Sequence, residues 1–257
     1  MVRARVIPCL QLIEDSLVKT TKFKAPVYIG DPVNTVRIFN ELEVDELCFL
    51  DIRATIRNQE PNFNILHQIA DECFMPLSYG GGIKDISTAK KILSIGFEKI
   101  VINTSAILNP GFITELADYF GSQSIIVSID VNRSFWGNYN TYSHDGTRNS
   151  KLNVVEWAKK AADLGAGELL ITSMNQEGTW GGYDFELIRS ITEAVNLPVI
   201  ANGGAGTLDH IGEVVNYSHA SAAALGSMVV FQQKDLGVLV NYPHNNEIKN
   251  CLKGASS

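Results

Sequence analysis

Several things are scarce in this chain of 257 residues, and each scarcity removes a class of function. There is no basic excess: Lys and Arg number 21 against 28 Asp and Glu, for a net charge of −7, so nothing is available to neutralise a phosphate backbone and nucleic acid is not an expected partner. Cysteine is limited to Cys9, Cys48, Cys73 and Cys251, too far apart for a metal knuckle. They read as reduced thiols in a cytoplasmic protein. The five histidines, His67, His144, His210, His219 and His244, form no metal-ligand pair, and no HExxH or Ser/His/Asp pattern is present, so neither metal nor cofactor is expected. No run approaches the ~20 apolar residues of a membrane span, and the start at Met1, interrupted by Pro8, does not fit a signal peptide.

What is present is a repeated alternation. Apolar runs recur at Arg5–Gln11, Glu46–Asp51, Met75–Tyr79, Lys99–Thr104, Ser124–Asp130, Glu168–Ser173, Leu197–Ala201 and Ser221–Gly226. Their continuous hydrophobicity suits strands covered on both faces, as in a parallel sheet. Between them, helical spacing appears at Pro32–Val44, Phe63–Cys73, Ile86–Ile95, Phe112–Phe120, Leu152–Leu164, Phe185–Val195 and Leu208–Asn216. Asp31-Pro32, Asp85, Asn109-Pro110 and Asp184 mark helix starts, and Gly96, Gly121 and Gly165 mark ends. Eight such units without a Gly/Ser linker predict an α/β fold, a single (β/α)8 TIM barrel over residues 1–257, in preference to a doubly wound open sheet.

The two halves resemble each other. Pro76-Leu-Ser-Tyr-Gly-Gly-Gly-Ile aligns with Pro198-Val-Ile-Ala-Asn-Gly-Gly-Ala at an offset of 122 residues, placing Gly82 on Gly204. Asn103-Thr104 aligns near Gly226-Ser227, and Gln11 aligns with Asp130. A glycine-rich strand end followed by a hydroxyl at the next strand's end makes an anion cradle, and its duplication predicts a ligand phosphorylated at both ends. Strand-to-helix turns also use glycine for geometry alone. Duplication together with the hydroxyl partner favours phosphate.

At the strands' carboxyl ends stand Gln11, Asp51, Asp130, Thr172 and Ser173, with Glu177 just beyond. Burial there raises a carboxyl group's pKa towards neutrality, which makes Asp130 the leading candidate for acid–base work; capping of a following loop is the plainer role open to Asp51 and Asp130. An amide at Gln11 exchanges no proton near neutral pH. Arg5, Glu46, Lys99 and Glu168 precede four strands at the opposite ends and could close the barrel floor as a ring of ion pairs, but on spacing alone four solvated charges are the preferred reading. Glu46 and Asp51 differ by an odd number, so placing both inward would need a bulge. The segment Asn132–Asn149, with Phe135, Trp136, Tyr139 and Tyr142, reads as a long lid loop or partner surface.

These residues resemble a known family, the cyclase subunit of imidazole glycerol phosphate synthase. The resemblance runs from about Arg3 to Phe231 through Val6-Ile-Pro-Cys-Leu, Gly30-Asp-Pro, Phe49-Leu-Asp-Ile, Tyr79-Gly-Gly-Gly-Ile, Ile102-Asn-Thr, Phe120-Gly-Ser-Gln, Gly165-Ala-Gly-Glu and Gly203-Gly-Ala-Gly. It implies a barrel whose floor receives a glutaminase subunit, through which ammonia passes to a phosphorylated aminoribulose substrate at the top. It also implies phosphate cradles at Gly82, Asn103, Thr104, Gly204 and Ser227, a substrate-covering Lys19, a catalytic Asp130, and an ammonia gate of Arg5, Glu46, Lys99 and Glu168. The chain departs from the family pattern where a second catalytic aspartate belongs and Gln11 stands, and where Ser173-Met-Asn-Gln-Glu-Gly-Thr carries Asn175 and Glu177 at acidic positions. Leu17-Val-Lys-Thr-Thr-Lys-Phe-Lys and Asn58-Gln-Glu-Pro-Asn resemble a paralogous branch found with surface-polysaccharide genes, which implies ammonia delivery to a sugar amidotransferase that forms acetamidino groups. A histidine-pathway cyclase tolerating Gln11 and a scaffold that only activates its glutaminase are the alternatives.

Overall fold

The structure, a computed structural model, describes residues 4–253; residues 1–3, among them Met1 and Arg3, and residues 254–257 lie outside the described residues. In chain order the elements are β1 (Arg5–Ile13), β2 (Ser16–Lys19), β3 (Val27–Gly30), α1 (Pro32–Glu41), β4 (Leu47–Asp51), α2 (Phe63–Glu72), β5 (Leu77–Gly80), α3 (Ile86–Ile95), β6 (Lys99–Ile102), α4 (Thr104–Leu108) and α5 (Gly111–Phe120). They continue with β7 (Ile125–Arg133), β8 (Tyr139–Ser143), β9 (Arg148–Asn153), α6 (Val154–Asp163), β10 (Glu168–Ser173), α7 (Phe185–Thr192), β11 (Val199–Asn202), α8 (Leu208–Asn216), β12 (Ala222–Leu225), α9 (Ser227–Val230) and α10 (Asn245–Leu252). Eight strands pair in parallel in the order β1, β4, β5, β6, β7, β10, β11, β12, and β12 returns to β1, closing a (β/α)8 barrel.

Local chemistry sets the boundaries. Asp31, Asp85 and Asp184 accept from Asn34, Thr88 and Leu187 N–H groups, satisfying first-turn donors that have no partner inside the helix. Asn62, Asn153 and Thr207 do the same for α2, α6 and α8. Gly96 and Gly121 end α3 and α5 at φ of 127° and 86°. Two cores result. The larger lies between sheet and helices; the smaller fills the barrel with Ile7, Cys9, Cys48, Val101, Ile126, Leu170, Ile200, Ala222 and Ala224. α10 has no counterpart among the predicted helices; it buries Ile248 and packs against α8 where Gly212 leaves room, a Cβ there meeting Cys251 O at 2.6 Å.

The segment Asn132–Asn149 is not a loop. β7 extends to Arg133, and β8 and β9 continue it as an antiparallel sheet, with Asp130 opposite Tyr142 and Tyr142 opposite Asn149. The reason is turn chemistry: His144, Asp145 and Gly146 have φ of 52°, 54° and 70°, and Thr147 N–H donates to His144 O, which reverses the chain between the paired Ser143 and Arg148. β2 and β3 form a matching hairpin on β1. Both hairpins follow the first strand of a half-barrel, so they belong to the same twofold pattern as the glycine turns.

Candidate functional site

The strand pleat sends Arg5, Ile7, Cys9 and Gln11 of β1, and Cys48 and Leu50 of β4 with Glu46 just before it, into the barrel. Asp51 therefore needs no bulge: it reaches the top from the last position of β4 and accepts from Arg53 and Ala54 N–H groups, each at 2.9 Å. It caps its loop while facing the site. Burial raises its pKa, and those two N–H groups pull it back.

At the floor, the four charges meet. Arg5 Nη1 lies 2.6 Å from Glu46 Oε2 and its Nη2 2.9 Å from Glu168 Oε2; Lys99 Nζ lies 3.0 Å from Glu168 and 3.5 Å from Glu46. Each carboxylate has two cations. Glu46 is 3 % exposed, and burial lifts its pKa while Lys99 and Arg5 oppose the lift. The solvated-charge reading of these four residues is corrected by this geometry. Above them sits a cavity of about 10 Å³, walled by five apolar side chains, the Cys9 and Cys48 thiols, Ser78 and Glu46 of the ring itself. That is room for one water-sized molecule.

At the top, a pocket of about 340 Å³ is lined by Gln11, Asp51, Gly82, Asn103, Thr104, Asp130 and Glu177. Asp130 accepts from Asn103 Nδ2 at 2.9 Å. Burial first, and then the charge of Asp145, push its pKa up to about 7, against hydrogen bonds from Thr172 and Ser128. A carboxyl group poised there can give or take a proton at neutral pH. Asn103 Oδ1 is buried with no hydrogen-bond partner in the protein.

Gln11 is committed elsewhere. Its Oε1 accepts from Thr20 N–H at 2.9 Å and its Nε2 donates to Glu177 Oε1 at 3.3 Å, while Lys19 pairs with the same Glu177 oxygen. Lys19 thus lies inside, 5 % exposed. Neither Gly204 nor Ser227 lines the pocket, although Thr172, Glu177 and Asn202 of the same half do.

One carboxylate of the site escapes the sequence reading. Asp145, carried by the β8–β9 turn, faces the pocket, and burial raises its pKa to about 6 against Arg53, whose Nη1 lies 3.3 Å away. The Asp-Gly dipeptide is the signal that finds the turn, because it is a preferred type I′ pair. The turn is also tied down, with His144 N–H donating to Thr104 Oγ1 at 3.0 Å. Among the described residues no cluster of three or more His, Cys, Asp or Glu is placed to hold a metal ion, and no helix is long and apolar enough to cross a membrane.

A closed (β/α)8 barrel with a titratable carboxyl group and glycine turns at its carboxyl-terminal face defines an enzyme-type barrel subunit. The family model described as "Histidine biosynthesis protein" matches residues 5–235. Three similar proteins share the name "Putative imidazole glycerol phosphate synthase subunit". They are hisF2 of Pseudomonas aeruginosa, 48 % identical over 96 % of this chain and 99 % of that protein; HisF of Leptospira borgpetersenii, 43 % over 96 % and 98 %; and hisF3 of Vibrio vulnificus, 41 % over 98 % and 98 %. The chain belongs to the cyclase-subunit family of imidazole glycerol phosphate synthase.

Proposed function

We propose that this chain is the barrel subunit of a glutamine amidotransferase, that it receives ammonia from a glutaminase subunit at its floor, and that it delivers the ammonia at its top for acetamidino-sugar formation in surface-polysaccharide biosynthesis. One observation carries the reading: the Arg5–Glu46–Lys99–Glu168 ring, the cavity above it and the pocket lie in sequence between the two ends of the strands. In this reading the ring is the gate. Paired charges exclude bulk water when closed, and the apolar wall keeps ammonia unprotonated and nucleophilic. Gly82, Asn103 and Thr104 bind a phosphorylated ligand, and Asp130 moves the proton.

What sets this chain apart from a histidine-pathway cyclase is Gln11. Its Oε1 holds Thr20 just after β2, its Nε2 holds Glu177 just after β10, and neither group can act as acid or base. A cyclase assay with ammonium and the aminoribulose bisphosphate tests the point. Turnover at least 100-fold below that of a family member with Asp at this position is expected, with a gain on Gln11→Asp; ordinary turnover overturns the reading in favour of the histidine-pathway cyclase. Purification from the host is expected to recover a glutaminase and a sugar amidotransferase. The glutaminase alone, with pathway flux unchanged by Asp130→Asn, leaves a scaffold that only activates its partner.

A further inference from the structure

The turn that joins β7 to β8 presents two large aromatic side chains to water. Phe135 is 97 % exposed and Trp136 85 %, their rings set edge to face with centroids 5.7 Å apart. The tip covers next to nothing on this chain, unlike the β8–β9 turn, which closes on the pocket. Beneath the rings the turn is ordered: Ser134 N–H donates to Asn138 O at 2.8 Å, Gly137 N–H to Ser134 O at 2.9 Å and Asn138 N–H to Ser134 Oγ at 3.1 Å. Its base is fastened to the next unit of the barrel. There Arg133 N–H donates to Asn175 Oδ1 at 2.6 Å, Asn175 Nδ2 donates back to Arg133 O at 3.3 Å, and Tyr139 OH donates to Asp184 Oδ1 at 2.8 Å. An aromatic pair held ready on a rigid support loses little freedom when it is buried by a partner, which is the property of an interface anchor.

Position says where that partner sits. β7 runs three residues past Asp130 to Arg133, so at about 3.3 Å per residue the turn begins roughly 10 Å beyond the pocket carboxyl group. β1 stands opposite β7 in the barrel order, and its hairpin carries the exposed Val27 and Tyr28 on the open edge of β3. A partner that touches both hairpins lies across the pocket mouth. Charge describes its surface. Between Ser134 and Asn153 the charged side chains are Asp145, turned to the pocket, and Arg148 and Lys151, both exposed, on a chain whose net charge is −7. The complementary face is an apolar socket with an acidic border.

We infer that the Phe135–Trp136 tip is the anchor by which the ammonia-consuming enzyme docks over the pocket mouth, seating the two rings in an apolar socket bordered by carboxylates. The inference rests on the amidotransferase reading given under Proposed function. Ammonia released at the top is protonated and lost as a nucleophile in open water unless its acceptor covers the outlet.

The test compares the full chain in complex with its glutaminase, as parent and as the double variant Phe135→Ser with Trp136→Ser, for binding to the purified sugar amidotransferase. The double variant is expected to bind at least tenfold more weakly while keeping its glutaminase at the parent level, and Lys151→Glu to show a smaller loss. Glutamine-dependent product should fall with the binding, and product formed from ammonium chloride should not. Equal binding by parent and double variant overturns the inference and leaves the amidotransferase reading standing. A parent that binds no amidotransferase overturns that reading and the inference with it. Loss of the glutaminase together with the amidotransferase overturns the inference, since the tip would then not be a separate surface. Tip-dependent binding to anionic phospholipid vesicles, or to a second copy of the chain, in place of the amidotransferase overturns it as well.

Discussion

Asp130 shows how one residue acquires its chemistry from position. It sits at the end of an apolar strand, beside Asp145 and out of water, and its ordinary value of 3.8 rises to about 7. The rise has a cost in stability with a definite sign. Below the unfolded value the group is protonated in both states and contributes nothing; as pH climbs towards 7 the unfolded chain ionises first and folding is progressively penalised. Asp130→Asn stays neutral throughout and keeps an acceptor for Asn103. Its stability relative to the parent is therefore expected to improve by roughly 3 kcal/mol between about pH 5 and about pH 8. Urea unfolding at the two pH values reads this directly, and a difference independent of pH would show that Asp130 is not held protonated. Asp130 was legible in the sequence because it ends an apolar run, whereas Asp145 was not. It ends no apolar run and is delivered by a turn in the middle of a polar segment, so its burial comes from the hairpin folding back over the barrel.

At the scale of elements, boundaries fixed by local chemistry agree with expectation and those fixed by tertiary packing do not. α3 and α8 begin and end where Asp85, Gly96 and the periodicity place them. α6 starts two residues late because Leu152 belongs to β9, and α10 has a weakly apolar face that only docking on α8 reveals. The β8–β9 hairpin is the largest departure, since its strands carry few apolar residues and its pairing is specified by the turn. Gly146 is central to it. At φ 70° an alanine is strained, and its Cβ would also crowd Met174 Cε and stand 2.9 Å from Phe23 Cδ1. Gly137, at φ 84°, has nothing within 4 Å of its Cβ position. Gly137→Ala is expected to cost about 1 kcal/mol, the conformational part alone, and Gly146→Ala about 1–2 kcal/mol more. Equal losses in urea unfolding would mean that the contact between Phe23, Met174 and the turn does not hold the hairpin down.

Across the whole molecule, the barrel was legible because its eight strands are covered on both faces and so run apolar without alternation, and because the second half repeats the first. Sequence could not supply the interior as a cavity, because the residues that wall it come from seven of the eight barrel strands, far apart along the chain. That interior is where the proposed route is narrowest. The cavity of about 10 Å³ has room for one water-sized molecule, and Ala224 is the smallest side chain of its wall. Ala224→Leu adds three carbons where there is space for about one water, so it fills the cavity and overpacks its neighbours at a cost of about 1–3 kcal/mol. If ammonia travels from floor to pocket by this path, the complex with its glutaminase should lose tenfold or more of its glutamine-dependent product. The same variant given ammonium chloride should keep its rate within about threefold, because free ammonia enters the pocket from the open top. Ala224→Val, which adds two carbons, should fall between. Loss of both activities together would mean that the substitution deforms the site, and unchanged glutamine use would mean that ammonia reaches the pocket by another way than the barrel axis.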